Sequence, residues 1–125
     1  MATLQKNYRC ALEMTMDLIG GRWKIIILWH LLHGTKRFSE LDKLIPDITQ
    51  KMLTTQLREL EEKGLVHRDV YPQVPPKVEY SLTECGHTLE QILNDLYMWS
   101  HSYAKFNDID ISCFDPEGVT LDTTK

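Results

Sequence analysis

The stretch SELDKLIPDITQKMLTTQLRELEEKG, residues 39–64, constrains this chain more than any other. Two amphipathic segments meet there across a joint of about three residues, Pro46, Asp47 and Ile48. In the first, Ser39 is expected to cap a short helix, with Asp42 three residues on. Leu41, Leu44 and Ile45 form its buried stripe, and Pro46 ends it. In the second, Thr49 is the cap candidate, the helix runs from about Gln50 to Lys63, and Gly64 is its left-handed stop. Leu53, Leu57 and Leu60 recur at spacings of four and three, which is one face of an α-helix. Two helices joined so closely make a helix-turn-helix.

Beyond Gly64 the chain turns strand-like. LVHRDVY and KVEYSL flank a tip that holds Pro72, Pro75 and Pro76. Val78, Tyr80 and Leu82 are apolar at every second position. Proline cannot donate to a strand ladder, so it stiffens the exposed tip and blunts edge pairing. A helix-turn-helix joined directly to a two-stranded hairpin is a winged helix. The fold expected is therefore mainly α with a small antiparallel β-hairpin.

The outer face of the second helix offers Gln50, Lys51, Thr54, Thr55 and Arg58, residue types that hydrogen-bond phosphates and base edges. Arg68 and Lys77 stand on the wing's strands, and Lys36, Arg37 and Ser39 precede the first helix or open it. Together with Thr49 these residues form the expected DNA-binding set, with the recognition helix at about 50–63 and the wing at about 65–82. A net charge of −4 argues against a polyanion ligand until it is resolved by region. Residues 22–77 carry ten Lys/Arg and seven Asp/Glu, whereas residues 79–125 carry two and nine. A mildly basic middle is thus masked by an acidic C-terminal part, and the local field is what a polyanion meets.

The flanks read as helices. CALEMTMDLIGG is a short helix stopped by glycine, and RWKIIILWHLLHG is apolar nearly all round, as a central buried helix is. TKRF forms a short extended stub. Thr83 caps a long last helix, ECGHTLEQILNDLYMWSHSYAKF, in which Leu89, Leu93, Leu96, Trp99 and Tyr103 lie on one side with Ile92. So wide an apolar belt calls for a partner subunit. Residues 1–106 then form one domain, including the dimerisation helices, and residues 107–125 an acidic tail, partly ordered through Ile109, Ile111 and Phe114 or flexible.

Other classes find little support. The longest apolar run, Ile25 to Trp29, falls far short of the ~20 residues of a membrane span. The N-terminus lacks a signal-peptide core, so a cytoplasmic location is expected. Cys10, Cys85 and Cys113 are widely spaced, the histidines show no ligand spacing, and no phosphate loop or nucleophile motif occurs, so neither metal, cofactor nor enzymatic activity is expected. Two further readings stay open: a winged-helix module that binds protein, and a regulator that takes a small-molecule ligand at a dimer interface, its effector unknown.

Residues 8–106 resemble the HxlR-type winged helix-turn-helix transcriptional regulators, which are MarR-like. The resemblance is carried by Cys10, LIGGRW at 18–23, KRFSEL at 36–41, ITQKMLTTQLRELEEKGLVHR at 48–68, VPPKVEYSLTECG at 74–86 and Trp99. It implies a homodimer, joined through N- and C-terminal helices, that binds a pseudo-palindromic double-stranded DNA operator and represses or activates nearby genes. It also implies, as in some members, a response to thiol-reactive compounds through the N-terminal cysteine, here Cys10. Arg9, Lys6 and a helix N-terminus are the setting that activates a thiol. The family commonly has proline after that cysteine; Ala11 follows it here. Cys85 is expected to face the domain.

Overall fold

The computed structural model describes residues 7–111; Lys6, Cys113, Phe114 and the acidic tail from residue 112 onward lie outside them. Helix α1 (Ala11–Ile19) leads to α2 (Lys24–Leu32), the strand β1 (Lys36–Arg37), α3 (Phe38–Leu44), α4 (Gln50–Glu62), the hairpin β2 (Val66–Tyr71) and β3 (Lys77–Leu82), a one-turn α5 (Glu84–His87) and α6 (Glu90–Phe106). No described helix is long and apolar enough to cross a membrane.

Helix α2 is the centre. Ile27, Leu28 and Leu31 are almost wholly buried. Against them pack Leu41 of α3, Leu53, Leu57 and Leu60 of α4, Val66, Tyr80 and Leu82 of the sheet, and Leu93 of α6. The stub expected at TKRF is β1, and it converts the hairpin into a three-stranded antiparallel sheet of order β1-β3-β2. Lys36 pairs with Tyr80 and Arg37 with Glu79, so the sheet ties the start of α3 to the wing.

The entry to α3 differs from expectation. Ser39 is inside the helix rather than at its cap, and Arg37 holds the cap position. Its N–H donates to the Glu40 carboxylate at 2.8 Å, so Glu40 rather than Asp42 closes the first turn. Pairing of Arg37 in β1 fixes where the chain leaves the extended region, and that overrides the intrinsic preference of serine for caps. The exit differs too. Ile45 leaves the helical region at φ −123°, ψ 77°, and five residues rather than three separate α3 from α4. Ile45 precedes Pro46, whose ring disfavours a helical Ile45, and Ile45 and Ile48 both bury their side chains.

Helix α4 follows the sequence pattern closely. The Met52 N–H donates to the Thr49 hydroxyl at 3.0 Å. Gly64, at φ +76°, closes the C-terminus in a left-handed turn in which Leu65 N–H donates to Leu60 O and Gly64 N–H to Glu61 O, both at 3.0 Å.

The long last helix is broken. Thr83 caps only α5, accepting from Gly86 N–H at 3.0 Å while its hydroxyl donates to Gly64 O at 2.6 Å. Thr88 and Leu89 N–H then bond three residues back, to Cys85 O and Gly86 O, tightening the turn before α6 starts. The cause is close packing: a β-carbon on Gly86 would lie 2.2 Å from Leu65 O, so α5 sits directly on the strand entry and α6 must turn away.

Candidate nucleic-acid interface

The inner face of α4 is fixed by its leucines and by one buried cation. Lys24, at the start of α2, is 7% exposed and donates to Gln56 Oε1 at 2.8 Å and Glu59 Oε1 at 2.7 Å. The Lys24 hydrogen bond holds the Glu59 carboxyl below its ordinary range against an opposing effect of burial. At the far end the Lys63 ammonium donates to Asp17 O, which moors α4 to the end of α1. None of this is visible in a sequence pattern, because Lys24 and Glu59 stand 35 positions apart; the only signal is a lysine opening an otherwise apolar run.

With that face pinned, Gln50, Lys51 and Arg58 are exposed and Thr54 and Thr55 half-buried beside them. The Thr54 hydroxyl donates to Gln50 O at 2.9 Å and the Thr55 hydroxyl to Lys51 O at 3.0 Å. Each hydroxyl proton is thus committed to the helix, and the lone pairs remain to accept from a donor such as an exocyclic base amine. Gln50 reaches Asp42 Oδ2 at 3.4 Å, a long contact that leaves its amide available. Thr49 is taken up by capping.

The remaining expected DNA contacts divide. Arg68 is exposed on β2 and lines, with Thr54, Arg58, Glu61 and Tyr80, a notch of about 230 Å³ between α4 and the wing. Arg37, Ser39 and Lys77 border a wider groove of about 330 Å³ between the start of α3 and the proline tip. Lys77 is partly spent: its ammonium lies 3.3 Å from Glu79 and 4.8 Å from the centre of the Tyr71 ring. Glu79, with Asp69, raises the pKa of the Tyr71 phenol. Lys36 corrects the expectation. It is 8% exposed, because β1 pairing turns it inward, and it is not a surface phosphate contact.

The apolar belt on α6 is also divided. Leu93 is 2% exposed and belongs to the domain's own core, so it does not face a partner as expected, whereas Leu89 is half-buried with one side packed against that core. Leu96, Trp99 and Tyr103 are exposed, together with Ile92 and Phe106, and so are Leu12 and Met16 of α1. The belt is wider than one face, and the domain takes one edge of it. Tyr97, outside the expected set, stacks on Trp29 of α2 with centroids 4.4 Å apart.

Cys10 is exposed at the N-cap of α1, where its side chain makes no capping bond. Arg9 turns from it to Glu13, at 2.7 Å. The Tyr8 hydroxyl donates to Asp17 Oδ2 at 2.8 Å. Cys85 is exposed as well, contrary to expectation, because Gly86 and not Cys85 is the α5 residue pressed onto the core.

Comparison with known proteins agrees with this architecture. The family model of the HxlR-like helix-turn-helix proteins matches residues 18–108. The HTH-type transcriptional regulator YdeP of Bacillus subtilis is 60% identical over 94 residues, 75% of this chain and 73% of YdeP. The redox regulator HypR in its oxidised form matches with a TM-score of 0.72 at 58% identity, over 74% of this chain and 96% of that one. Quinone-bound YodB from B. subtilis matches with a TM-score of 0.62 at 36% identity, over 74% and 97%. The winged helix, the outward polar face of α4 and these matches lead to one conclusion: the chain belongs to the HxlR-like helix-turn-helix family of DNA-binding transcriptional regulators.

Proposed function

We propose that the chain is a homodimeric repressor of the cytoplasm that binds a pseudo-palindromic operator in double-stranded DNA, with α4 in the major groove and the wing on the flanking backbone or minor groove. One observation carries this reading. Helix α4 is locked to α2 by Leu53, Leu57, Leu60 and Lys24, and it presents Gln50, Lys51, Thr54, Thr55 and Arg58 on the side from which Arg68 of the wing also projects. Residues 1–106 act as the DNA-binding and dimerising unit, and residues 107–125 are an acidic extension. Leu96, Trp99 and Tyr103 of α6 supply the subunit contact. Two reading heads then meet half-sites about 34 Å apart. HypR is a redox regulator and YodB binds a quinone; the exposed Cys10 is the group through which this chain responds to thiol-reactive compounds.

The test is binding of the purified protein to its own promoter fragment between about 50 and 200 mM salt. Six to ten phosphate contacts would lower affinity by roughly 10³–10⁵ over that range. Diamide or a quinone should then change operator affinity in the wild type and leave Cys10→Ser unchanged. A protein that retains no DNA but captures a protein partner is an interaction module instead, and equal responses of wild type and Cys10→Ser make Cys10 structural.

A further inference from the structure

The notch between α4 and the wing combines features that no single residue shows. Arg58 comes from the recognition helix and Arg68 from β2, and both line the same small space. Among the described residues neither guanidinium has a carboxylate within ion-pair distance. Glu61 lines the notch as well but pairs with neither. The floor is Thr54 and Tyr80, the latter buried and held in register opposite Arg68. Two like charges gathered without a directly paired carboxylate repel one another, and with Glu61 as the one acid in the lining the notch keeps an excess of positive charge. At about 230 Å³ the space falls below the ~300–1,000 Å³ of pockets that enclose organic ligands.

We propose that this notch is a single-phosphate site: one phosphodiester of the DNA backbone is held jointly by Arg58 and Arg68. A guanidinium presents a planar fork that matches two phosphate oxygens, and two forks on different elements can take the oxygens from two sides. The bound phosphate, with one negative charge between two guanidiniums, relieves their mutual repulsion and pins the wing to the recognition helix, so the two move on DNA as one body. Glu61 opposes the same anion, limiting how tightly non-specific backbone is held. The inference rests on the DNA-binding reading and sharpens it from a basic face to one shared contact.

The experiment is a double-mutant cycle of Arg58→Gln and Arg68→Gln, read by fluorescence anisotropy on the promoter fragment across salt, with circular dichroism confirming the fold. Either single change should lower affinity roughly ten- to hundredfold, the range for hydrogen bonds to a charged group. It should lower the salt slope by well under one, because the other guanidinium still neutralises the phosphate. The double change should lower the slope by about one, and its loss should fall short of the product of the single losses. Slopes falling by about one for each single change and two for the double, with multiplying losses, would mean two separate phosphates and overturn the proposal. Glu61→Gln should raise affinity severalfold in the wild type and not in the double variant; an equal gain in both counts against the notch. In the absence of DNA, inorganic phosphate at matched ionic strength should bind weakly, in the millimolar range. Micromolar binding that the double variant abolishes would make this a free-anion site rather than a DNA contact. A wild type that retains no DNA removes the DNA-binding reading and the inference together, whereas DNA binding indifferent to both arginines removes the inference alone.

Discussion

Helices α4 and α6 start from the same physics and end in different chemistry. Both seat leucines on the core around α2: Leu53, Leu57 and Leu60 from one, Leu93 from the other. On its outward side α4 carries hydroxyls, amides and cations, whereas α6 carries Ile92, Leu96, Trp99, Tyr103 and Phe106, with the Trp99 and Tyr103 rings stacked at 5.3 Å. The inward faces hold the fold and are alike. The outward faces choose the partner. Polar groups on α4 are satisfied in water and wait for a charged surface; apolar area on α6 is unfavourable in water at about 25 cal/mol per Å² and is relieved only by another apolar surface.

The sharpest way to break this contrast is at α6. Leu96→Asp with Trp99→Asp should convert the protein to a monomer and, by removing the second reading head, weaken operator binding roughly 10²–10⁴-fold. Sedimentation velocity with anisotropy checks both effects, and a wild type already monomeric at micromolar concentration would remove this half of the comparison. Next in size is the shared inward face. Leu57→Ala should cost ~2–5 kcal/mol in urea unfolding, since Leu57 is 1% exposed and its removal leaves a cavity.

Lys24→Ala should cost somewhat less, ~2–3 kcal/mol, by leaving Glu59 without its buried partner. This effect has a pH signature. The Glu59 carboxyl is held below its ordinary value of 4.5 in the folded protein, chiefly by Lys24. The stabilisation is therefore complete at pH well above 4.5 and fades as pH falls through the folded pKa. The gap between wild type and Lys24→Ala should accordingly narrow in acid below that value; a gap that stays constant down to about pH 3 would show that the pair contributes packing only. The smallest effect belongs to the outward side of α4. Lys51→Ala should leave stability within about 0.5 kcal/mol and flatten the salt slope by about one unit on any DNA sequence. An unchanged slope would take Lys51 off the phosphate backbone.

The contrast also explains what the sequence discloses. Helix α4 is legible because its signals are local: the Thr49 cap, the Leu53, Leu57 and Leu60 spacing and the Gly64 stop all lie within one stretch of 16 residues. The wing is legible for the same reason, from alternation and prolines. Sequence patterns mislead where a distant element decides. Sheet pairing of β1 takes the α3 cap away from Ser39 and turns Lys36 inward. The α6 belt reads as one surface, yet the fold claims Leu93 for its own core, and only the course of the chain after α5 decides which edge turns inward. The role of Lys24 is hidden outright, because an ion pair between α2 and α4 has no short-range signature. For the candidate interface, the residues of α4 and Arg68 are legible one by one; that Arg58 and Arg68 share a notch is not.

Gly64 and Gly86 show how differently one residue type limits a chain's mutational future. Gly64 has open space around it and a left-handed backbone, so asparagine or aspartate would fit with modest strain. Gly86 has no such backbone demand, but any side chain there would collide with Leu65 O, and Leu82 Cβ stands at 3.3 Å from the same point. In a saturation library, position 64 should therefore return a short, graded series of tolerated residues, whereas position 86 should return a single survivor. Every alternative at 86 would push the strand entry and the base of α6 apart, and with them the wing from the helix that carries the exposed Leu96, Trp99 and Tyr103.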